Sequence, residues 1–115
     1  MLVPMDHPQA IAERYFDGMR AKDVERVIAL FAESATLNPP DGRELRGLAA
    51  IRQWFEMLFS GAAPSPTPSA YVAGARDVAV EIQTKLADGS SRRTANFFHF
   101  DEAGRIERLT SYARS

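Results

Sequence analysis

The fold is decided by residues 77–100, which read DVAVEIQTKLADGSSRRTANFFHF. Two β-forming stretches, 77–87 and 91–100, flank the pair Asp88-Gly89. An Asp-Gly pair between two such stretches is the strongest short-range signal for a β-hairpin. The sequence therefore predicts two antiparallel strands joined by a tight turn.

The chain before this hairpin is predicted to be mainly helical, and the chain after it to return as a further strand. Ile11, Tyr15 and Met19 repeat at four-residue spacing, which predicts a helix that Asp6 caps and that ends near Lys22. Similar patterns and turn signals predict helices over 24–31 and 48–59, strands over 35–38, 70–73 and 105–114, and a Pro/Ser-rich loop over 60–69. Three helices followed by an antiparallel meander indicate an α+β fold with the helices on one sheet face.

Composition bounds the class of protein. The 115 residues suit a single domain over 1–115, with 45% apolar residues, 25% charged residues and a net charge of −1. The absence of basic runs argues against nucleic-acid and membrane partners, and the absence of cysteine excludes thiol chemistry. Without a signal-peptide pattern or a metal-binding motif, we expect a cytoplasmic protein with no cofactor and no metal.

The register of the hairpin determines which side chains share a face. If Asp88-Gly89 forms a two-residue turn, Glu81 lies opposite Asn96. A slip of one residue would exchange the faces of one strand. In the predicted register, one face carries Ala79, Glu81, Gln83, Thr94, Asn96 and Phe98, and the other carries Val78, Val80, Ile82, Ala95, Phe97 and His99.

The mixed face is predicted to turn towards the helices and to enclose a pocket. The more apolar face then needs another cover, and a second copy of the chain is the obvious candidate. We therefore expect a homodimer through Val80, Ile82, Phe97 and His99.

Asn96 is the unusual residue of the hairpin, because it opens a run that is otherwise rich in phenylalanine. A buried amide without partners costs about 1–3 kcal/mol. Either a hydrogen-bond network or a ligand could satisfy it, and the sequence leaves both open.

Several short stretches carry a resemblance to a known superfamily: Arg14-Tyr15-Phe16, Lys22-Asp23, 31–37, 47–51 and 100–106. They resemble the nuclear transport factor 2-like superfamily, and in particular its SnoaL-like and ketosteroid isomerase-like branches. The resemblance implies a cystatin-like cone, in which helices lie across a curved antiparallel sheet. It leaves function open, since the superfamily contains isomerases, dehydratases, cyclases, epoxide hydrolases and non-catalytic binders.

The isomerases use a carboxylate base together with an oxyanion hole made of a tyrosine and a protonated aspartic acid. The resemblance matches Tyr15 to that tyrosine and Asn96 to that acid. The base should follow Leu37, where this chain has Asn38-Pro39, with Pro39 in the place of the carboxylate.

Two carboxylates could replace the missing base. Asp41 lies two residues beyond Pro39, about 6 Å further along an extended chain. Glu81 is the better replacement in the predicted register, which sets it beside Asn96. The other predicted pocket residues are Trp54, Phe55, Phe59, Phe98, Gln83 and Leu109.

These residues support two hypotheses about a small apolar ligand that carries a carbonyl or hydroxyl group. The first is a cofactor-independent isomerase, cyclase or lyase acting next to a carbonyl, in which Tyr15 and Asn96 hold the oxygen and Glu81 or Asp41 moves the proton. The second is a non-catalytic binder that has lost the base, which Pro39 favours. A third reading, a protein-docking module, has no specific support in the sequence.

Overall fold

The computed structural model describes residues 7–61, 65–86 and 88–113. Its helices and strands are α1 (Pro8–Ala21), α2 (Val24–Ile28), β1 (Phe31–Asn38), β2 (Leu45–Arg46), α3 (Leu48–Ser60), β3 (Ser65–Ala73), β4 (Asp77–Lys85), β5 (Ser91–Phe100) and β6 (Ile106–Ala113).

The strands form one sheet in the order β2-β1-β6-β5-β4-β3. Strands β3 to β6 make the predicted antiparallel meander, while β1 pairs parallel to β6. Helix α1 packs along β3 and β4, and α3 packs against β1 and β2. The α+β architecture is therefore as predicted, with β6 inside the sheet rather than at its edge.

The helix ends follow local capping and strand pairing. His7 caps α1 by accepting a hydrogen bond from the backbone N–H of Gln9 at 3.2 Å, whereas the predicted cap Asp6 lies outside the described residues. Asp23 caps α2 as predicted. This helix ends three residues early, because Phe31 pairs with β6 and starts β1.

Strand β3 occupies the edge of the sheet and begins inside the stretch that was predicted to be a loop. Pro66 and Pro68 suggested that loop, because proline cannot donate a ladder hydrogen bond. An edge strand tolerates proline, since one of its sides has no partner strand. The loop prediction was therefore wrong over 65–69, while its residues 62–64 lie outside the described residues.

Residues 86–90 connect β4 to β5, and the Leu86 N–H donates to the Ser90 carbonyl at 2.9 Å. Three residues therefore separate the last bonded pair of the hairpin, and the predicted two-residue turn was wrong. The Leu86 carbonyl accepts a hydrogen bond from the Gly89 N–H at 3.0 Å. Gly89 has φ of 88°, the left-handed conformation typical of a three-residue hairpin connection. Asp88-Gly89 located the hairpin correctly but not the length of its loop.

The extra residue changes the face of every side chain on β4. Val80, not Glu81, lies opposite Asn96. Val80 and Ile82, which were predicted on the outer face, are buried in the core at 1% and 3% exposure. Glu81 is exposed on the outer face. The β5 residues kept their predicted face, since Asn96 and Phe98 are both buried.

The core lies between the helices and the inner face of the sheet. Its largest fully buried side chains are Phe16, Phe31, Phe55, Phe98, Ile51, Ile106 and Leu109. Beside them lies a cavity, which forms the candidate site.

Candidate functional site

A cavity of about 140 Å³ lies between the helices and the inner sheet face. Its apolar wall includes Phe16, Met19, Leu37, Trp54, Phe55 and Leu58. Its polar lining consists of Tyr15, Thr84, Arg92, Thr94, Asn96 and Ser111. An apolar pocket with a few polar groups is the usual form of a small-molecule site.

Tyr15 lies on the buried face of α1, and packing fixes its ring. The ring stands edge-on to Phe16 and Phe98, with centroid distances of 5.1 and 5.3 Å. Its hydroxyl has no hydrogen-bond partner among the described residues. In the described residues, every side-chain polar atom that is fully enclosed has a hydrogen-bond partner. The Tyr15 hydroxyl has none, so it is not fully enclosed and borders the cavity.

Burial raises the pKa of Tyr15 well above the ordinary value of 10.0. Desolvation is the cause, because a phenolate would lose its hydration without gaining a partner. The side chain is therefore a neutral proton donor throughout the physiological range.

Asn96 faces the cavity from β5, opposite Ser111 on β6. The Ser111 hydroxyl donates to the Asn96 side-chain oxygen at 2.7 Å. No described residue accepts a hydrogen bond from the Asn96 amide nitrogen. The protein thus satisfies the oxygen of this amide and leaves its N–H groups available to a ligand.

Neither of the two predicted replacement bases lies in the cavity lining. Asp41 is exposed and pairs with Arg43 at 2.6 Å, and hydrogen bonds from Arg43 lower the pKa of that carboxyl. Glu81 projects from the outer face, because of the corrected register. Pro39 is buried and lines the cavity. Among the described lining residues there is no carboxylate and no imidazole.

Only some of the predicted pocket residues line the cavity. Trp54 and Phe55 line it, and Phe59 packs behind Phe55 with a ring centroid distance of 5.7 Å. The remaining predicted residues lie elsewhere, with Phe98 and Leu109 fully buried in the core and Gln83 exposed on the outer face.

Thr94 was predicted on the pocket face and lines the cavity, whereas sequence reasoning missed three polar lining residues: Thr84, Arg92 and Ser111. The hairpin could have supplied two of them, since the correct loop length pairs Thr84 with Arg92 on the face of Asn96. Ser111 depends on an irregularity between β5 and β6 at His99/Phe100, which no turn signal predicts.

The outer face carries the other polar and aromatic residues of interest. Phe97 and Tyr112 are exposed and stand edge-on, with ring centroids 5.7 Å apart. The His99 ring contacts the Asp77 carboxylate. Of the predicted dimer residues, therefore, Phe97 and His99 are on this face, and the two aliphatic ones are not.

The described ranges contain no cluster of three or more histidines and acids able to hold a metal ion. No helix in these ranges is long and apolar enough to cross a membrane.

Comparison with known proteins identifies the family and the fold of the chain. A sequence model of the SnoaL-like domain matches residues 12–109. A cystatin-like protein of unknown function from Methylobium petroleophilum is 22% identical, with a TM-score of 0.83, covering 100% of this chain and 80% of its own. A Kribbella flavida protein, provisionally assigned as a ketosteroid isomerase, is 21% identical with a TM-score of 0.85, covering 96% and 82%.

A third similar structure is SalBIII, described as an epoxide hydrolase/cyclase-like enzyme with a role in pyran ring formation in the polyether salinomycin. It is 21% identical, with a TM-score of 0.80, and the match covers 93% of this chain and 90% of that one. At these identities the likeness establishes the cystatin-like, nuclear transport factor 2-like fold, as predicted.

Proposed function

Since the chain belongs to the SnoaL-like domain family, we propose that it binds a small cyclic molecule through an oxygen atom held by Tyr15 and Asn96. The observation that carries this proposal is the pair of unpartnered donors in one apolar cavity, the Tyr15 hydroxyl and the Asn96 amide N–H. Each is buried, at 4% and 6% exposure. A ligand oxygen would satisfy both.

The cavity suits one ring. Its volume of about 140 Å³ is close to that of an engineered apolar cavity, about 150 Å³, which takes up benzene. The surrounding side chains are aromatic or aliphatic, which favours an apolar ring body. A cyclic ketone or a phenol combines such a body with one oxygen.

The donors favour an oxygen with negative charge. In a site of low dielectric, fixed neutral donors stabilise an enolate or phenolate more strongly than water does. The absence of a carboxylate among the described lining residues removes the main source of repulsion. A phenolate, or the enolate form of a ketone, is therefore the preferred bound species.

The same lining favours a binder over an isomerase. Abstraction of a proton next to a carbonyl needs a base within about 3 Å or one water away. Pro39 lies in the lining where the resemblance implies that base, and both Asp41 and Glu81 point elsewhere. An isomerase, cyclase or lyase remains the alternative, supported by the two oxygen donors but lacking a base among the described lining residues.

The two functions are separated by one pair of measurements. The first titrates the protein with 4-nitrophenol and follows ionisation of the bound phenol by absorbance. The second incubates the protein with a β,γ-unsaturated cyclic ketone and follows formation of the conjugated isomer. We expect saturable binding of the phenolate and no isomerisation above the buffer rate.

Variants make the result specific. Asn96→Leu removes a donor and should weaken phenolate binding, whereas Glu81→Gln on the outer face should leave it unchanged. Failure of the wild type to bind the phenol would overturn the proposal. Isomerisation that Glu81→Gln abolishes would establish the enzyme instead.

We also propose that a second copy of the chain covers the outer sheet face. Phe97 and Tyr112 support this, since they expose 41% and 58% of their surface side by side. Sedimentation velocity should show that Phe97→Lys weakens self-association. Met57→Lys, on the exposed side of α3, is the matched control. A wild-type protein that sediments as a monomer at high concentration would refute the dimer.

A further inference from the structure

Arg92 stands at the mouth of the cavity, and we propose that it selects ligands with a carboxylate at the end opposite the bound oxygen. This inference rests on the proposed function and names the class of ligand that the same site takes. The class is a cyclic ketone or phenol that carries a short side chain ending in a carboxylate.

Strand geometry places Arg92 on the ligand's path. Arg92, Thr94 and Asn96 alternate along β5 and all three line the cavity. Asn96 is buried, while Arg92 is exposed, so the strand leads from the closed end of the cavity to its opening. Four residues of strand separate the α-carbons of Asn96 and Arg92 by about 14 Å.

Arg92 differs from the other lining residues in its charge. It is the only arginine or lysine among the described lining residues, which include no acid. Within the described ranges no carboxylate lies at ion-pair distance from it, whereas Arg20, Arg43 and Arg52 each pair with an acidic side chain. A carboxylate entering the cavity therefore meets one positive charge without competition.

The neighbour of Arg92 suits the same ligand group. Thr84 lies directly opposite Arg92 on β4, lines the cavity and is 7% exposed. Its hydroxyl has no hydrogen-bond partner in the described part of the chain. A guanidinium and a hydroxyl side by side offer donors in the arrangement that a carboxylate accepts.

These positions suggest a length for the ligand. Asn96 and Arg92 project from the same face of β5 into the cavity. An arginine side chain that extends towards Asn96 shortens the span between them, so we expect a ligand whose polar ends are about 8–10 Å apart to reach both. A phenol with a propanoate group in the para position has this length. Its single ring matches the cavity volume of about 140 Å³.

The experiment compares 3-(4-hydroxyphenyl)propanoate with its neutral amide by isothermal titration calorimetry. The two probes share the ring, the phenol and the tail, and differ in charge. We expect the wild type to bind the carboxylate about 5- to 20-fold more tightly at low salt. Added NaCl should reduce this ratio, because the arginine is exposed.

Three variants locate the effect. Arg92→Gln should reduce the ratio to about one by weakening binding of the carboxylate, and Arg92→Lys should keep part of the ratio. Arg93→Gln is the matched control, since it makes the same charge change at the adjacent exposed position on the other face. Circular dichroism checks that each variant is folded.

The outcomes distinguish this inference from the function on which it rests. Equal affinity of the wild type for both probes would overturn the role of Arg92 and leave the oxygen site intact. A preference that survives in Arg92→Gln would also overturn it. Failure of both probes to bind would remove the proposed function and this inference together.

Discussion

Replacing Tyr15 by phenylalanine should separate ligand binding from folding stability. The change removes one oxygen atom and keeps the ring, whose edge-on contacts with Phe16 and Phe98 remain. Because the hydroxyl has no partner among the described residues, no hydrogen bond within them is lost. We expect the free energy of unfolding to stay the same or to rise by up to about 1 kcal/mol, since a desolvated polar group is gone.

Binding should respond in the opposite direction. A hydrogen bond to a charged oxygen contributes about 1.5–3 kcal/mol. Its loss corresponds to a rise in Kd for a phenolate of about 10- to 150-fold. Urea unfolding measures the first quantity and absorbance titration with 4-nitrophenol measures the second. A variant that loses about 2 kcal/mol of stability and binds normally would show that the hydroxyl is structural, and would refute this reasoning.

The same substitution should also change how the stability of the protein depends on pH. The pKa of Tyr15 is raised in the folded protein, so the folded state holds this proton more tightly than the unfolded state. The stability linked to this proton is fully present below pH 10.0, the ordinary value, and is lost as the pH rises towards the folded pKa. The phenylalanine variant lacks this loss. Its free energy of unfolding relative to wild type should therefore increase between pH 9 and about pH 11. A difference in free energy that does not change with pH would contradict the raised pKa of Tyr15.

Three further substitutions test other parts of the structure. Pro39→Asp places a carboxylate in the cavity lining, and should raise the isomerisation rate of a β,γ-unsaturated ketone at least about 10-fold above the buffer rate. A folded variant without this gain would contradict the base position that the resemblance implies. Gly18→Ala puts a methyl group 2.8 Å from the buried Val27 side chain. It should destabilise by about 1–2 kcal/mol in chemical denaturation, whereas an increase in Tm would show that the helices can separate. Val80→Glu should prevent folding and Glu81→Val should change stability by less than about 0.5 kcal/mol; the reverse order in circular dichroism melts would refute the register.

Sequence patterns predicted the elements better than their relative positions. Asp88-Gly89 identified the hairpin, and the spacing of Ile11, Tyr15 and Met19 identified α1. Both signals are local, because a turn or an amphipathic face depends on residues that are close in the chain. The length of the hairpin loop is decided by tertiary packing as well as by its residues, and an error of one residue placed Glu81 on the wrong face.

The candidate site was likewise predicted in its single residues but not in the contacts between strands. Tyr15 and Asn96 were predicted from the resemblance and both line the cavity. The hydrogen bond from Ser111 was not predictable, since it depends on how two strands align across an irregularity. That bond answers the question that the sequence left open about Asn96. Its oxygen is satisfied by the protein, and its nitrogen faces a space that a ligand can fill.

The interior position of β6 has a consequence for how the molecule folds. Strand β6 pairs with β1 on one side and with β5 on the other, so it joins an early part of the chain to a late one. On the ribosome, β1 emerges long before its parallel partner and cannot complete its backbone pairing until Ile106–Ala113 has been synthesised. Such sequence-distant contacts slow folding. During translation the nascent chain therefore exposes the apolar residues of β1, a period in which chaperones would be expected to protect it.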